Sequence, residues 1–462
     1  MNSWRESRIM RLAKARVHFI GIGGIGMCGL AELLHNLGAQ VTGSDASASA
    51  QTAHLQALGV QVTLGHSPKN LGDCEVVVFS SAVREDNVEY KDARRRKIPL
   101  IRRAEALAQI MTLKRGIAVA GTHGKTTTTS LTSTILLQAG MHPTIIVGGR
   151  LEVIKSTAQL GKGEWLIAEA DESDGSFTQL SPEIVIITNI DDDHLDYFET
   201  VVNLQRAFLD FASRIPFYGV AIVCGDDAGL AKLFANFGKR WISYGTGQDN
   251  DYVLEKQDGH WNVLHDGNLL GELRPSMPGL HNALNSLAAV IASLMAGVSF
   301  EVAAGAIHDF AGVDRRFQHK ASIRGVDFYD DYGHHPTEIR AVLAGFKEKF
   351  PERRLVTIFQ PHRFSRTQLC WNQFLTSFKQ SDLVYILDIY PAGEPEIAGI
   401  TSTKLAQEIN HPHCQLIAKD PDFPEVRSIL QSGDIVVTLG AGDISKLGEQ
   451  FVESFVPTLV KG

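Results

Sequence analysis

The segment Ala118-Val119-Ala120-Gly121-Thr122-His123-Gly124-Lys125-Thr126-Thr127-Thr128 constrains the fold more than any other stretch of the chain. An apolar strand, Ile117 to Ala120, runs into two glycines, a lysine and a row of hydroxyls. The spacing predicts a helix from Thr127 to Gln138 behind the turn. Backbone N–H groups at such a helix N-terminus converge on phosphate, Lys125 can reach the β/γ oxygens, and Thr126 can ligate Mg²⁺. The spacing departs from the standard phosphate loop, because Val119 stands where the first glycine would be. A glycine turn with an exposed lysine is the plain alternative.

The same order of strand, turn and amphipathic stretch recurs nearly throughout the 462 residues. This is the pattern of an α/β protein built in layers around mostly parallel sheets. The length exceeds one ordinary core. Pattern shifts divide it into residues 1–112, 113–311 and 312–462. Strands are expected at Val17–Ile20, near Gln40–Gly43 and at Glu75–Phe79 in the first block. In the second they fall at Ile117–Ala120, Thr144–Val147, Trp165–Ala168, Ile184–Thr188 and Val220–Cys224. Short antiparallel strands are expected across Tyr244–Asn268. In the third block they fall at Val326–Tyr329, Leu355–Phe359, Leu383–Leu387 and Ile435–Leu439, with a helix after Ile444.

Composition excludes some functions. At 44% apolar and 21% charged residues the chain is globular rather than disordered. A net charge of −8 argues against a nucleic-acid partner, and Arg94-Arg95-Arg96-Lys97 reads as a solvated helix face. Five dispersed cysteines without a Cys-x-x-Cys pair fit a reducing cytosol and give no zinc signal. Basic residues before Val17–Leu34 imitate a signal peptide. That stretch, however, holds five glycines, His18 and Glu32, and reads as strand, glycine turn and helix. No membrane insertion is expected.

A second phosphate-type turn, Gly21-Ile22-Gly23-Gly24-Ile25-Gly26, lies between a strand and a helix, with Asp45 19 residues beyond at the next strand end. That is the dinucleotide fingerprint, and NAD is its obvious ligand. The glycines require only a pyrophosphate, which a UDP-sugar also supplies. Acidic runs close two buried strands, at Glu169 to Asp174 and at Asp191 to Asp196 with His194 among them. Carboxyl ends of parallel strands share one edge, so Lys125, Thr126, Glu169 and His194 can converge there. Solvation of exposed turns is the bland account of the individual aspartates.

Gly21–Met27, Gly121–Thr128, Glu169–Asp174, Thr188–Asp196, His281–Asn285, Arg315–Phe317, Asp330–Pro336, Gln360–Thr367 and Tyr390–Glu394 follow one another along the chain. Together they resemble the Mur ligase family, and within it the alanine-adding branch. The resemblance implies a UDP-binding Rossmann-like domain, a central P-loop ATPase domain and a C-terminal Rossmann-like domain. It implies an ATP-dependent amide ligase. ATP phosphorylates the lactyl carboxylate of UDP-N-acetylmuramate, L-alanine attacks the acyl phosphate, and a tetrahedral intermediate collapses to amide, phosphate and ADP.

By position, the resemblance gives Gly121, Thr122, His123, Gly124, Lys125, Thr126, Thr127, Asn282, Asn285 and Asp330 to ATP. Thr126, Glu169 and His194 go to Mg²⁺, with Mn²⁺ able to substitute. Gly21, Gly23, Gly24, Gly26, Asp45, Ser80 and Ser81 go to the UDP-sugar, and Tyr332, His362, Arg363 and Arg366 to the amino acid. Lys125, His281, Arg315, Arg316, His362, Arg363 and Arg366 make up the catalytic set. His334, His335 and Asp331 are the candidates for deprotonating the alanine amine.

Other branches of the family carry a carbamylated lysine shortly after the Asp-His pair that helps hold a second Mg²⁺. Here the region reads Arg206-Ala207-Phe208-Leu209-Asp210, without lysine. That supports the alanine-adding branch and leaves the second metal's shell open. A nicotinamide oxidoreductase would leave Lys125, Glu169 and His194 without a role, and a switch-type NTPase would not need the first loop. The nearest rival is a recycling ligase that joins a tripeptide to the same UDP-sugar. A cytoplasmic monomer or weak homodimer with closing domains is expected.

Overall fold

The structure, a computed structural model, describes residues 10–80 and 82–455; Ser81, expected at the UDP-sugar, lies outside the described residues. The chain forms two compact units. One comprises Met1–Ser276 with Leu284–Ala311 and carries two sheets; the other comprises Met277–Ala283 with Gly312–Gly462 and carries a third. The architecture is α/β with mostly parallel sheets.

The first sheet has five parallel strands in the spatial order Gln61–Leu64, Gln40–Asp45, Arg16–Ile20, Val76–Phe79 and Leu100–Arg102. Arg16–Ile20 is central, and the chain leaves it first to one side and then to the other. That reversal opens a crevice at the strands' carboxyl edge, where ligands of such sheets sit. The Gly21–Gly26 turn rises at this point, and the Gly21 and Ile22 N–H groups both donate to Ser44 O, at 2.8 and 3.0 Å.

The second sheet has ten strands. Arg115–Ala120 runs between Ile184–Ile187 and Trp165–Glu169, with Ala120 beside Ile187 and Val119 beside Glu169. This register puts the ends of three strands around one loop. Tyr252–Gln257, His260–His265 and Asn268–Leu273 extend the sheet as an antiparallel run. At the opposite edge Thr144–Leu151 runs past its expected end and folds back as Ser156–Gln159. The sequence offered no strand there, because Ser156, Thr157 and Gln159 are polar. The hairpin packs against the helix Ile25–Asn36, where Ser156 donates to Glu32 Oε2 at 2.9 Å.

Helix Lys125–Gln138 begins two residues earlier than its apolar pattern indicates, since Gly124 in the left-handed region is its N-cap. Its hydroxyl residues from Thr127 to Thr134 are buried, and Thr132, Ser133 and Thr134 each donate to the carbonyl four residues back. Small side chains with internally bonded hydroxyls let a helix lie close to a sheet.

In the second unit the order is Gln318–Ile323, Val326–Asp331, Ile435–Leu439, Leu355–Phe359, Leu383–Ile386 and Cys414–Leu416. Val326–Asp331 extends two residues beyond the apolar run, because Asp330 and Asp331 pair with Thr438 and Leu439. Phe346, Phe359, Phe374 and Phe378 are wholly buried in one core layer of this unit. Each contributes about 1.5–3 kcal/mol of transfer free energy.

Candidate active site

The phosphate-type loop of the first unit is shaped by two glycines at positions where any other residue is strained. Gly121 has φ 129°, and a Cβ there would stand 2.1 Å from Thr188 Oγ1; Gly124 has φ 84°, and its Cβ would stand 2.5 Å from Asn285 Oδ1. The loop is strapped to the next strand end. Thr122 N–H donates to Asn189 O at 3.0 Å, His123 N–H to Asn189 Oδ1 at 2.9 Å, and Asp191 N–H to Thr122 Oγ1 at 2.9 Å. His123 Nε2 lies 3.0 Å from Asp191 Oδ2. The backbone is thus fixed before any ligand arrives. Thr127 is buried behind the loop.

Lys125 Nζ donates to Gly121 O at 2.6 Å, Thr122 O at 3.1 Å and Glu172 Oε1 at 2.8 Å. Burial alone would lower its pKa, but the carboxylates of Glu172, Asp171 and Glu169 outweigh it and hold the lysine above its ordinary value. Glu172 is wholly buried, and burial pushes its carboxyl up to about 7 against the pull of Lys125. The two tendencies disagree on where the proton sits. With the ammonium at 2.8 Å, the ionised pair is the form the geometry supports.

Thr126 Oγ1 lies 3.1 and 3.0 Å from the two oxygens of Glu169, and Gly148 N–H donates to Glu169 Oε2 at 2.8 Å. A hydroxyl and a carboxylate held together at a helix N-terminus form an oxygen donor set for a hard divalent cation. His194 has φ 57°, and its Nε2 stands 3.7 Å from both Glu172 Oε1 and Asp193 Oδ2.

The first glycine loop is made differently. Gly23 N–H donates to Asp45 Oδ2 at 2.8 Å, so the acid read as a ribose partner also holds the turn. Gly24 is the N-cap of Ile25–Asn36 and has no side-chain cap. Ser80 N–H donates to Ile20 O at 3.2 Å, and its Cβ lies 3.3 Å from the position a Gly21 Cβ would take. Arg103 Nη1 is 3.0 Å from the corresponding point on Gly26, and Nη2 donates to Asp171 Oδ2 at 3.2 Å. One guanidinium therefore touches both the Gly21–Gly26 turn and the acidic run that carries Glu172.

In the second unit, Arg315 Nε donates to Asp330 Oδ2 at 3.0 Å. Asp330 is 2% exposed and also accepts from Thr438 and Ser445, each at 2.8 Å, so its carboxylate is occupied in orienting Arg315. The guanidiniums of Arg315 and Arg316 lie 4.9 and 5.1 Å from the Tyr332 ring centre. His362 stacks on Tyr390 at 5.6 Å, and its Nδ1 is 3.4 Å from Arg366 Nη1. Arg363 has φ 69° and stands 4.0 Å from Glu394. Four arginines and two tyrosines form a basic, aromatic cluster suited to carboxylate and phosphate groups.

Burial lowers His334 to about 3, and burial with the nearby Arg366 and Arg363 lowers His362 to about 4. Burial with Arg316 likewise lowers His281 to about 4. All three are neutral at pH 7. His334 Nδ1 is 3.1 Å from Tyr332 O; a carbonyl only accepts, so Nδ1 carries the proton and Nε2 is the basic nitrogen. His335 instead caps the helix Pro336–Lys349, with Nδ1 accepting from Thr337 N–H at 3.4 Å. Asp331, raised to about 6 by burial, accepts from the Phe317 and Gly333 N–H groups. Asn282 donates its amide to Pro278 O at 2.8 Å.

Sequence reasoning named Glu172 and Asn189 only within longer runs, with no role of their own, and passed over Arg103. Glu172 is one of four charged or polar residues after a strand, and no periodicity tells which of them turns inward. Arg103 carries no motif at all.

Three family models match in succession: the Mur ligase family catalytic domain over residues 16–115, the Mur ligase middle domain over 119–293, and the Mur ligase glutamate ligase domain over 315–442. The chain is 56% identical over 446 residues to the UDP-N-acetylmuramate--L-alanine ligase of Bdellovibrio bacteriovorus, covering 95% of this chain and 98% of that one. It is 47% identical over 448 residues to the enzyme of that name from Geobacter sulfurreducens, covering 95% and 97%. The structure is similar to the UDP-N-acetylmuramate-alanine ligase of Thermotoga maritima, with TM-score 0.80 and 28% identity, covering 96% and 99%. It is also similar to a murein peptide ligase from Psychrobacter arcticus, with TM-score 0.73 and 25% identity, covering 96% and 99%.

Proposed function

The chain belongs to the Mur ligase family, and we propose on that premise that it joins L-alanine to the lactyl carboxylate of UDP-N-acetylmuramate at the expense of ATP. The observation that carries this reading is the 56% identity to an alanine-adding ligase along 95% of the chain. The chemistry of the residues agrees with it. A carboxylate is a poor electrophile until a phosphoryl group makes one of its oxygens a leaving group.

The Gly121–Thr126 amides cradle the triphosphate, and Lys125 stabilises the charge that builds as the γ-phosphoryl moves. Thr126 and Glu169 hold a divalent cation, Mg²⁺ with Mn²⁺ able to substitute, which when bound neutralises phosphate charge. Asn285 lies against the loop at Gly124. The Gly21–Gly26 turn with Asp45 and Ser80 holds the pyrophosphate and ribose of the UDP-sugar, which removes NAD from the reading. Tyr332, His362, Arg363 and Arg366 hold the alanine and the transferred phosphate, with Arg315 and Arg316 alongside. Of the candidates for taking the ammonium proton, Asp331, raised to about 6 by burial, stands nearest the working pH, whereas burial leaves His334, lowered to about 3, a weak base. Domain limits at 112/113 and 311/312, a cytoplasmic location and a monomer or weak homodimer belong to the same reading. Among the described residues, no helix is long and apolar enough to cross a membrane.

Phosphate release with UDP-N-acetylmuramate and ATP tests the proposal. L-alanine should outrun glycine, L-serine and a tripeptide. Faster turnover with the tripeptide would transfer the chain to the recycling ligases, the reading favoured by its likeness to the murein peptide ligase.

A further inference from the structure

Arg363 combines a strained backbone with an unused donor. Its φ of 69° lies where glycine is favoured, and such a conformation persists only when neighbouring structure fixes it. Here the segment Tyr390–Glu394 does so. Arg363 N–H donates to Tyr390 O at 2.8 Å, and Tyr390 N–H donates to Pro361 O at 2.8 Å. The His362 ring lies against the Tyr390 ring, 9° from parallel. The guanidinium is thereby held in place, yet its Nε is buried and donates to no acceptor among the described residues. An unpaired buried donor is costly, and the planar guanidinium fork suits a carboxylate brought by a ligand.

A carboxylate of the chain itself stands close enough to take that donor. Glu394 Oε1 is 4.0 Å from Arg363 Nε, just beyond hydrogen-bond reach. Ser365 keeps it there. The Ser365 hydroxyl donates to that same Oε1 at 2.7 Å, and the Ser365 N–H donates to Oε2 at 3.0 Å. Burial would raise the Glu394 carboxyl, but the Ser365 N–H, the Ser365 hydroxyl and the Arg363 charge hold it below its ordinary value, so it is an anion at neutral pH. Freed from the hydroxyl, Oε1 would need to move only about 1 Å to accept from Nε. We propose that Ser365 is a positioning residue for amino-acid binding: its hydroxyl restrains Glu394 and so leaves the Arg363 guanidinium open to the α-carboxylate of the incoming amino acid. Without that restraint Glu394 would occupy the site as an internal competitor. The inference rests on the assignment of Arg363 to the amino acid in the proposed function.

Steady-state phosphate release by the full chain, with L-alanine, the UDP-sugar and ATP varied in turn, tests it. Ser365 is exposed, so truncating it does not threaten the fold. Ser365→Ala should raise the KM for L-alanine at least about tenfold, the scale of a hydrogen bond between charged groups, and leave the KM values for ATP and the UDP-sugar as they were. Adding Glu394→Gln should bring the alanine KM back towards the wild-type value, because a neutral amide competes poorly for the guanidinium. A merely structural role predicts the opposite, since the double variant loses more local bonding than the single one. An unchanged alanine KM in Ser365→Ala, a fall in kcat alone, or a double variant no better than the single would overturn the proposal while wild-type turnover stands. Wild-type phosphate release that does not depend on L-alanine would instead bring down the proposed function, and this inference with it.

Discussion

The first unit contains two turns with the same local grammar and different surroundings. Gly21–Gly26 and Gly121–Lys125 each follow the interior strand of a parallel sheet and each open a helix with glycine at the N-cap. At the first, the loop's carboxylate, Asp45, is taken by a backbone N–H. At the second, Lys125 and Thr126 meet Glu172 and Glu169 at 2.8 to 3.1 Å. A glycine turn announces a phosphate; what happens to that phosphate depends on the charges brought in by neighbouring strands. On the proposed function the first turn would hold its ligand, and the second would serve phosphoryl transfer.

That contrast is most sharply broken by Lys125→Ala. Phosphate release should fall at least about a thousandfold, the scale of losing a transition-state charge partner, while calorimetric binding of the UDP-sugar survives. Loss of both would show that the turns do not work separately.

Next in size is Gly121→Ala, whose Cβ would stand 2.1 Å from Thr188 Oγ1. Backbone strain and overpacking should cost about 2–4 kcal/mol, read as a lower urea midpoint together with weakened nucleotide binding. An unchanged midpoint would mean that the strap to Thr188 yields easily.

Asp45→Asn removes a charge-assisted bond to Gly23 N–H, worth about 1.5–3 kcal/mol. UDP-sugar affinity should fall by about tenfold or more, with nucleotide binding unaltered. An effect on the nucleotide instead would mean that the turns are coupled, and Arg103 would be the link to examine.

The smallest effect separates the second unit from both turns. Its histidines His334 and His362 titrate near 3 and 4 in the fold, against an ordinary value near 6.5. Below about pH 6.5 the unfolded chain binds protons that the folded chain refuses, so stability falls as pH drops from there towards 4 and is unaffected above. Imidazole NMR titrations should show both rings neutral to pH 5. Protonation of either near pH 6.5 would refute the burial argument, and at His334 it would make that ring a stronger proton acceptor than its burial allows.

Much of this was legible along the chain. Apolar runs such as Ile117–Ala120 and Ile435–Leu439 are buried strands, because both faces of a parallel sheet are covered and period-two alternation disappears. The edge strand Ser156–Gln159 was not legible, since its role is to pair and to touch a helix rather than to bury apolar surface. Asp330 and Asp331 looked like loop residues and turned out to be strand residues, held there by pairing to Thr438 and Leu439. Lys125 and Thr126 were readable as the residues that follow a glycine turn into a helix, because that turn depends on local spacing. Glu172 was not, because the choice among Glu169, Asp171, Glu172 and Asp174 is made by the turn of a loop.

The sequence by itself determined the layered α/β class, the two glycine turns and the family, since each rests on residue order over short stretches or on their succession. Only the tertiary structure decided which carboxylate answers Lys125, that Asp45 braces its own glycine loop, and that Asp330 serves Arg315. Those pairings join residues tens to more than a hundred positions apart. Their strength depends on burial and on ångström distances, and neither quantity exists until strands from distant parts of the chain share one sheet edge.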